Sequence, residues 1–355
     1  MNHTTYSNLR MPAEWEPQSG VQLTWPHAAT DWQPYLSEIT QTYISLAQTI
    51  TRHEQLLVVT PHPSEVRELL ATHLDATQKA RVTIACCDTD DTWARDHGAI
   101  TLTDDEGHAT LLDFRFNGWG DKFAWQHDNA INRQLCRQGA LRGSRIDYDD
   151  FVLEGGSIES DGRGTIFTTS HCLLAPHRNQ PLSRDEIETQ LCHRLHAHRV
   201  VWIDHGQLIG DDTDGHIDTT VRVAPDDTLL YIKCTDPDDA HYADFCAMED
   251  ELRTLTTADG RPYRLIPLPM ASEIDYDGER LPATYANFLI INGAIIYPTY
   301  DQTQHDRAAA EALAQAFPGR KLIGIDSRVI IRQHGSIHCL TMQYPEGVLT
   351  ADGSR

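Results

Sequence analysis

The sequence predicts an α/β fold built from five like units in a closed ring, and three observations carry that expectation. Strand-like and helix-like segments alternate from the start of the chain. A strand–turn–strand hairpin recurs at intervals near 60 residues, and each recurrence carries a different polar residue at the equivalent position. Those positions are Asp96, Glu154, His216, Asn287 and Cys339, separated by 58, 62, 71 and 52 residues. A period of this size with one hairpin and one helix per unit marks a radially repeated architecture. Residues 1–355 therefore read as a single domain, with its core over about 10–345 and a polar, disordered tail expected over 346–355.

The elements follow in order. Met11–Gly20 is a loop containing Pro and Trp, leading into a short strand at Val21–Trp25 that Pro26 ends. Tyr35, Ile39, Tyr43, Leu46 and Ile50 recur at helical spacing and predict a helix over 31–52. Gln55–Thr60 reads as a buried strand, 63–74 as an amphipathic helix capped by Ser64, and 81–85 as a further strand. The first hairpin is 99–103 with 109–114, after the polar stretch Asp91–Gly98. The second follows Leu153–Ile158 and returns over 165–169. The third, Asp214–Val221, turns at 225–227 and returns over 228–233. The fourth is 285–291 with 294–297. The fifth, beginning at Cys339, needs Val21–Trp25 to complete it. Helices are expected over 183–196, where Ser183 and Glu186 have the form of a capping box, and over 306–317.

Composition bounds the function. A net charge of −23 disfavours nucleic acid and anionic membrane as partners and suits a cationic small molecule. Eight cysteines without CxxC pairs read as reduced thiols of a cytoplasmic protein. Met1–Arg10 lacks basic and apolar signal regions, and the longest apolar run, Phe288–Tyr297, is far too short to span a membrane. A homodimer is compatible with such a chain. Cys192, His193, His196 and His198 imitate a metal cluster, but cationic side chains are expected at a helix C-terminus, and no metal is assigned.

If the units point their polar residues at a common centre, then Asp96, Glu154, His216, Asp218 and Cys339 meet there. His216 and Asp218, read as i and i+2 of a strand, would share one face. A thiol, an imidazole and three carboxylates exceed the needs of a hydrolytic triad and suit a guanidinium, a planar cation that takes carboxylates along its N–H edges. Taken alone, Cys339 reads as a buried structural thiol, Asp96 and Glu154 as loop carboxylates, and Arg95 as their structural partner. Trp93 and Trp119 either wall the cleft or fill the core.

Met11-Pro-Ala-Glu-Trp-Glu-Pro, Trp93-x-Arg95-Asp96-x-Gly98, Phe116-Asn-Gly-Trp-Gly120, Leu153-Glu-Gly-Gly-Ser157, Asp214-Gly-His-Ile-Asp218 and Gly335-Ser-Ile-His-Cys339 together resemble the agmatine deiminase family, which includes the bacterial-type peptidylarginine deiminases. The resemblance implies the pentein fold, five ββαβ-type units around a pseudo-fivefold axis. It also implies a mechanism in which Asp96 and Asp218 hold the guanidinium, Cys339 attacks its carbon, His216 acts as acid and then base, and Glu154 orients His216, without metal or organic cofactor. Trp93, Trp119 and Asp212 would complete the substrate pocket. Family members often carry a glycine-rich run where this chain has Arg332-Gln333-His334-Gly335-Ser336, and a Glu where it has Asp212. The leading expectation is hydrolysis of agmatine to N-carbamoylputrescine and ammonia, on the route to putrescine. Peptidyl-arginine or another guanidine is the alternative substrate, and a catalytically silent binder of cations is the alternative class.

Overall fold

The computed structural model describes residues 9–349. Within them the hairpin-and-helix unit occurs five times, each time as a separate mixed sheet. Ile100–Thr103 pairs antiparallel with Ala109–Arg115, which runs parallel to Ser144–Val152. The same order recurs in Ile158–Ser160, Thr165–Thr169 and Arg199–Ile203, and again in Val221–Ala224, Thr228–Lys233 and Arg264–Pro269. It recurs once more in Leu289–Ile291, Ala294–Thr299 and Lys321–Asp326. The remaining sheet is assembled from both ends of the chain. Thr341–Pro345 pairs antiparallel with Gln18–Thr24, as expected of a unit completed by the N-terminal strand, and Gln55–Thr60 and Val82–Cys86 follow in parallel.

Parallel neighbours cannot be joined by a tight turn, and helices supply the crossovers. These are Leu36–Ile50, Ile131–Gln138, Arg184–Arg194, Tyr242–Thr254 and Thr303–Ala316. Ser183 and Glu186 form the expected reciprocal capping box. Strands covered on both faces read as continuous apolar runs, and Leu56–Val59 and Leu289–Ile291 are buried along their whole length. Among the described residues no helix is long and apolar enough to cross a membrane.

The Met11–Pro17 segment is a strap tied to several sheets rather than a simple lead-in. Arg10 exchanges backbone hydrogen bonds with Thr103 and donates through Nη1 to the Gly162 carbonyl (3.1 Å). Ser160 donates to the Met11 carbonyl (3.0 Å), and Arg320 donates to that of Trp15 (2.6 Å). The strap thereby carries Glu14 inward onto Arg95, Arg222 and His338.

Several local expectations are corrected. The first long helix starts at Leu36, after a 3-10 turn at Gln33–Tyr35, because Pro34 suits a first turn and buried Trp32 is anchored through its N–H to Thr92 Oγ1 (2.9 Å). Ser64 does not cap the second helix: Pro63 takes the first helical position, where its missing N–H costs nothing, and His62 precedes it without a side-chain cap. His216–Asp218 is not strand. Asp214 and Gly215 are left-handed (φ 67° and 94°), Ile217–Thr219 is a 3-10 turn, and the strand begins at Val221. The expected free tail is docked where it is described. Val348 is buried, its carbonyl accepts from the Arg142 N–H (2.8 Å), and Leu349 bridges to Leu141. The rest of that tail, 350–355, lies outside the described residues.

Glu54, at the start of the inner strand Gln55–Thr60, ties two sheets by accepting the Asn292 N–H (2.9 Å). Burial pushes its carboxyl up to about 7, against that hydrogen bond and the nearby Arg320 cation. A carboxyl whose pKa is raised by folding binds its proton more tightly in the folded state. Its contribution to stability therefore falls as pH rises from the unfolded value of 4.5 towards about 7, and is level beyond. Denaturant titrations across that window are expected to show wild type losing up to roughly 3 kcal/mol more than Glu54→Gln. Parallel pH profiles would overturn the assignment.

Candidate active site

The polar residues singled out from the repeat sit on tight turns just ahead of the hairpins, not on the strands. Asp96 lies in the single helical turn Ala94–His97, Glu154 precedes the 3-10 turn Gly155–Ser157, and His216 precedes Ile217–Thr219. Cys339 lies in a turn closed by the Leu340 N–H donating to Ser336 and the Thr341 N–H donating to His338. Tight turns allow backbones of different units to approach closely, and Gly156 is where they meet. A Cβ there would stand 2.6 Å from His216 Nδ1, 2.8 Å from Asp96 Oδ1 and 3.1 Å from Asp218 Oδ2. Cys339 Sγ is 3.8 Å from Asp218 Oδ2. The structure therefore brings Asp96, His216, Asp218 and Cys339 together, with all four buried.

Each member is held by a distinct set of contacts. Asp96 accepts the Trp119 indole N–H (2.9 Å) and the Gly156 N–H (3.0 Å), and its Oδ1 lies 3.6 Å from His216 Nδ1. Trp119 reaches it because Gly118, Trp119 and Gly120 are successive left-handed residues (φ 63°, 56° and 90°), closed by Asn117 Oδ1 accepting the Gly120 N–H. Trp93 donates to Asp91 Oδ2 (3.1 Å). Asp218 accepts from His338 Nδ1 (2.7 Å). Asn287, the polar residue of the fourth unit, braces the nucleophile's turn. Its Oδ1 accepts the Cys339 N–H (3.2 Å), its carbonyl accepts the His338 N–H (3.1 Å), and its Nδ2 donates to the Asp218 carbonyl (3.3 Å).

The nearest carboxylate partner of the His216 ring is Asp96. Glu154 is occupied by Arg178, whose Nε donates to Oε1 (3.0 Å) while its Nη1 and Nη2 fix Asp214 and the Thr213 carbonyl (both 2.6 Å). Arg178 thus joins Glu154 to the loop that presents His216. A Glu154 oxygen, Cys172 Sγ and a His216 ring nitrogen lie within 4.8 Å of one another. Glu14, Glu159 and His338 form a second cluster of that kind, already paired with the Arg95 and Arg222 cations. Cys192 and its neighbouring histidines form no such cluster among the described residues.

Electrostatics divides these groups by charge state. Burial opposes charge on His216, but the Asp96, Cys172 and Glu154 groups around it outweigh burial and hold its pKa well above the usual 6.5. Burial, followed by Asp218 and Asp96, pushes the Cys339 thiol well above 9. Burial raises the Asp96 carboxyl to about 6, with His216 opposing and Asp218 and Glu154 adding to the rise. Asp218 stays below its usual 3.8: burial works against it, and the His338 hydrogen bond and charge overcome burial. Among the described residues Asp218 Oδ1, Glu154 Oε2 and both His216 ring nitrogens are buried without a well-aligned hydrogen-bond partner.

A narrow cavity of about 20 Å³ leads to this cluster, walled by Asp91, Trp93, Asp96, Trp119, Phe123, Asp212, Thr213 and Gln333–Gly335. Trp93, Trp119 and Asp212 all line this cavity, and Trp93 and Trp119 also pack into the hydrophobic core. Burial and Asp211 raise Asp212 to about 6, and burial and Asp31 raise Asp91 to about 7. Hydrogen bonds tie the loops around the cavity to one another. Lys122 donates to the Asp212 carbonyl (2.6 Å) and Asp214 Oδ1 (2.8 Å), and His334 Nδ1 bonds the Gly210 carbonyl (2.7 Å). Arg332 is directed away, to Glu38 (3.1 Å) and over the Tyr276 ring.

Residues 10–345 match the family model described as Porphyromonas-type peptidyl-arginine deiminase. The chain belongs to this family. A protein of Photobacterium profundum provisionally named agmatine deiminase is 34% identical over 95% of this chain and 96% of its own. A solved structure from Porphyromonas gingivalis, provisionally named arginine deiminase, is 47% identical with a TM-score of 0.90, covering 96% of this chain and all of that one. A Campylobacter jejuni agmatine deiminase, solved as a cysteine-to-serine variant with substrate bound, is 36% identical with a TM-score of 0.88 over 98% and 99% of the two chains.

The sequence reading assigned nothing to Glu14, Cys172, Arg178, Arg222, Asn287 or His338. Asn287 was flagged by its place in the repeat, and Glu14 and His338 by lying inside the quoted motifs. Gly156→Ala leaves every functional group present but forces His216, Asp96 and Asp218 apart. Deimination measured as ammonia release by the folded variant is expected to fall about 100-fold or more, with a stability loss of about 1–3 kcal/mol from the overpacking, and near-wild-type turnover would overturn this geometry.

Proposed function

We propose that this protein hydrolyses the guanidinium of agmatine to N-carbamoylputrescine and ammonia through a covalent adduct on Cys339. The observation that carries the reading is buried Asp218 Oδ1, without a hydrogen-bond partner among the described residues, on the carboxylate whose other oxygen lies 3.8 Å from Cys339 Sγ. A guanidinium offers several N–H donors in one plane and satisfies carboxylates edge-on.

In this reading Asp96 and Asp218 hold the guanidinium and present its central carbon to Cys339. As the guanidinium binds, Cys339 loses its proton to solvent, and the thiolate sulfur adds to that carbon. His216, held as a cation by its anionic neighbours, gives a proton to the departing nitrogen, and the C–N bond breaks to release ammonia. The neutral His216 then takes a proton from water as its oxygen adds to the amidino-thioether. Collapse breaks the C–S bond and leaves a ureido product and the free thiol. Glu154, fixed by Arg178, supports the charged form of His216.

Three features favour agmatine. The cavity is small, about 20 Å³, and the loops around it are tied to one another, which favours a small molecule over a chain. Among the described residues its walls carry Asp91, Asp96 and Asp212, and the nearby Lys122 is already paired with Asp214, which suits a ligand with a distal ammonium and without a carboxylate. The substrate-bound relative is named agmatine deiminase. Asp212 is the residue assigned to the distal amine. The closed ring of five units in one domain belongs to the same reading, supported by the pairing of the terminal strands and by Arg222, which joins its own unit to Glu159 of the unit before it, to the segment leading into the unit after it, and to the strap. Eight free thiols are consistent with a reducing cytoplasm.

Ammonia and ureido-product release from agmatine, arginine and an arginine-containing peptide, with Cys339→Ala as control, tests the substrate. Turnover of agmatine alone, abolished in the control, is expected; preferred turnover of the peptide would replace agmatine with peptidyl-arginine. The raised Cys339 thiol adds a second expectation. The Cys339-dependent thiolate absorbance, taken as wild type minus Cys339→Ala, titrates at lower pH with a non-reactive guanidine bound, because the bound cation favours the anion. An unchanged titration would remove substrate-assisted ionisation.

A further inference from the structure

The residue before the nucleophile, His338, has no part in the mechanism above, yet it touches the site through one ring nitrogen and the strap through the other. Nδ1 lies 2.7 Å from Asp218 Oδ2. Nε2 lies 2.9 and 3.1 Å from the two oxygens of Glu14. A carboxylate only accepts hydrogen bonds, so both ring nitrogens are called on to donate. Arg222 Nη2, 3.1 Å from Nε2, is itself a donor, and its partner is Glu14 Oε2 at 2.7 Å. The ring is fully buried, and its backbone is held by Asn287. Two carboxylates thus grip one imidazole end to end, and one of the two is the carboxylate beside Cys339.

Asp218 needs such a partner. It is fully buried and faces the Cys339 thiol, Asp96 across Gly156, His216, the Arg222 cation and His338. Burial alone favours a neutral acid, which would neither hold a cation strongly nor keep a fixed orientation. Among the described residues His338 makes the shortest hydrogen bond to its side chain, at the oxygen Oδ2 that also faces the Cys339 thiol, and Oδ1 is left open.

We propose that His338 is a positioning residue: donating to Glu14 and Asp218 at once, it fixes Asp218 as a charged, oriented acceptor for the substrate cation. The Met11–Pro17 strap completes the site through Glu14. The proposal rests on the guanidine-hydrolase reading above. It gives the strap a part in substrate recognition rather than in folding alone.

Two substitutions separate the two donors. Asn places its amide near the position of Nδ1, and Gln places its amide near Nε2. His338→Asn keeps the donor to Asp218, whereas His338→Gln keeps only the donor to Glu14. With agmatine, His338→Gln is expected to lose about 10- to 100-fold in kcat/KM, mainly as raised KM. Its acidic limb is expected to move to higher pH as Asp218 becomes easier to protonate, and His338→Asn is expected to recover most of the loss. Equal KM values and superimposed pH profiles for the two variants, at matched melting temperatures, would overturn the proposal. Wild-type protein labelled with 15N-histidine gives a readout that needs neither variant nor turnover. A buried ring with two N–H protons that respond to guanidine binding is expected, and a pyridine-type nitrogen on that ring would overturn the proposal. Absence of turnover by wild type would count against the proposed reaction, while the nitrogen spectrum would still decide the role of His338.

Discussion

Arg222 is fully buried and has no route to water, so its charge must be met inside the protein. It donates through Nε to Glu159, through Nη1 to the carbonyls of Ala286 (2.9 Å) and Phe288 (2.6 Å), and through Nη2 to Glu14 (2.7 Å), and it lies 4.3 Å over the Phe288 ring. Those partners belong to the strand Ile158–Ser160, to the segment just ahead of the strand Leu289–Ile291, and to the strap. Around it Glu14, Glu159 and Asp218 are matched by Arg95, Arg222 and His338. An intact buried network of this kind adds little net stability over an apolar replacement, but removing one partner strands the others at a cost of about 3–5 kcal/mol. Its value is specificity. Hydrophobic packing alone would tolerate small rotations between sheets, whereas bidentate and end-to-end hydrogen bonds fix which turns face each other.

That constraint explains why the active-site cluster can be so tight. His216, Asp96 and Asp218 approach one backbone position to distances that exclude even a methyl group. Such closeness needs turns from three units registered to a fraction of an ångström, and turn residues alone do not supply it. The charged network binds Asp218 through His338, Cys339 through Asn287 and the Arg95 carbonyl-facing turn through Glu14. The Arg95 N–H accepted by the Cys339 carbonyl (3.1 Å) closes the circuit between the first unit and the last.

The sequence disclosed the repeat and its five polar positions because hairpins, turns and apolar runs are local signals. Gln55–Thr60 and Thr165–Thr169 fall where the pattern placed them for that reason. It misjudged His216–Asp218 as strand because apolar Ile217 between polar neighbours imitates alternation, while the left-handed Asp214 and Gly215 that set the turn are visible only as a pair of turn-prone residues. It could not show that Glu14, 324 residues from His338, lies against it, or that Arg178 occupies Glu154. Long-range partners of buried charges leave no periodicity, and an Arg or Glu in a loop looks the same whether it is solvated or sealed in.

The acidity of the chain and the chemistry of its nucleophile oppose each other. A net charge of −23 and a cavity lined by carboxylates attract cations, and the same field disfavours the thiolate on Cys339. A nucleophile ionised at rest would need a resident cation beside it, and His216 is already committed to Asp96 and its anionic neighbours. In the proposed reaction the missing positive charge arrives with the guanidinium, which satisfies Asp218 Oδ1 and lowers the cost of the thiolate in one step. A buried neutral thiol reacts slowly with electrophiles and oxidants, so the arrangement keeps Cys339 quiet until the cation that it attacks is bound. Recognition and activation then become one electrostatic event, which is why the site can tolerate Asp96 and Asp218 beside a sulfur.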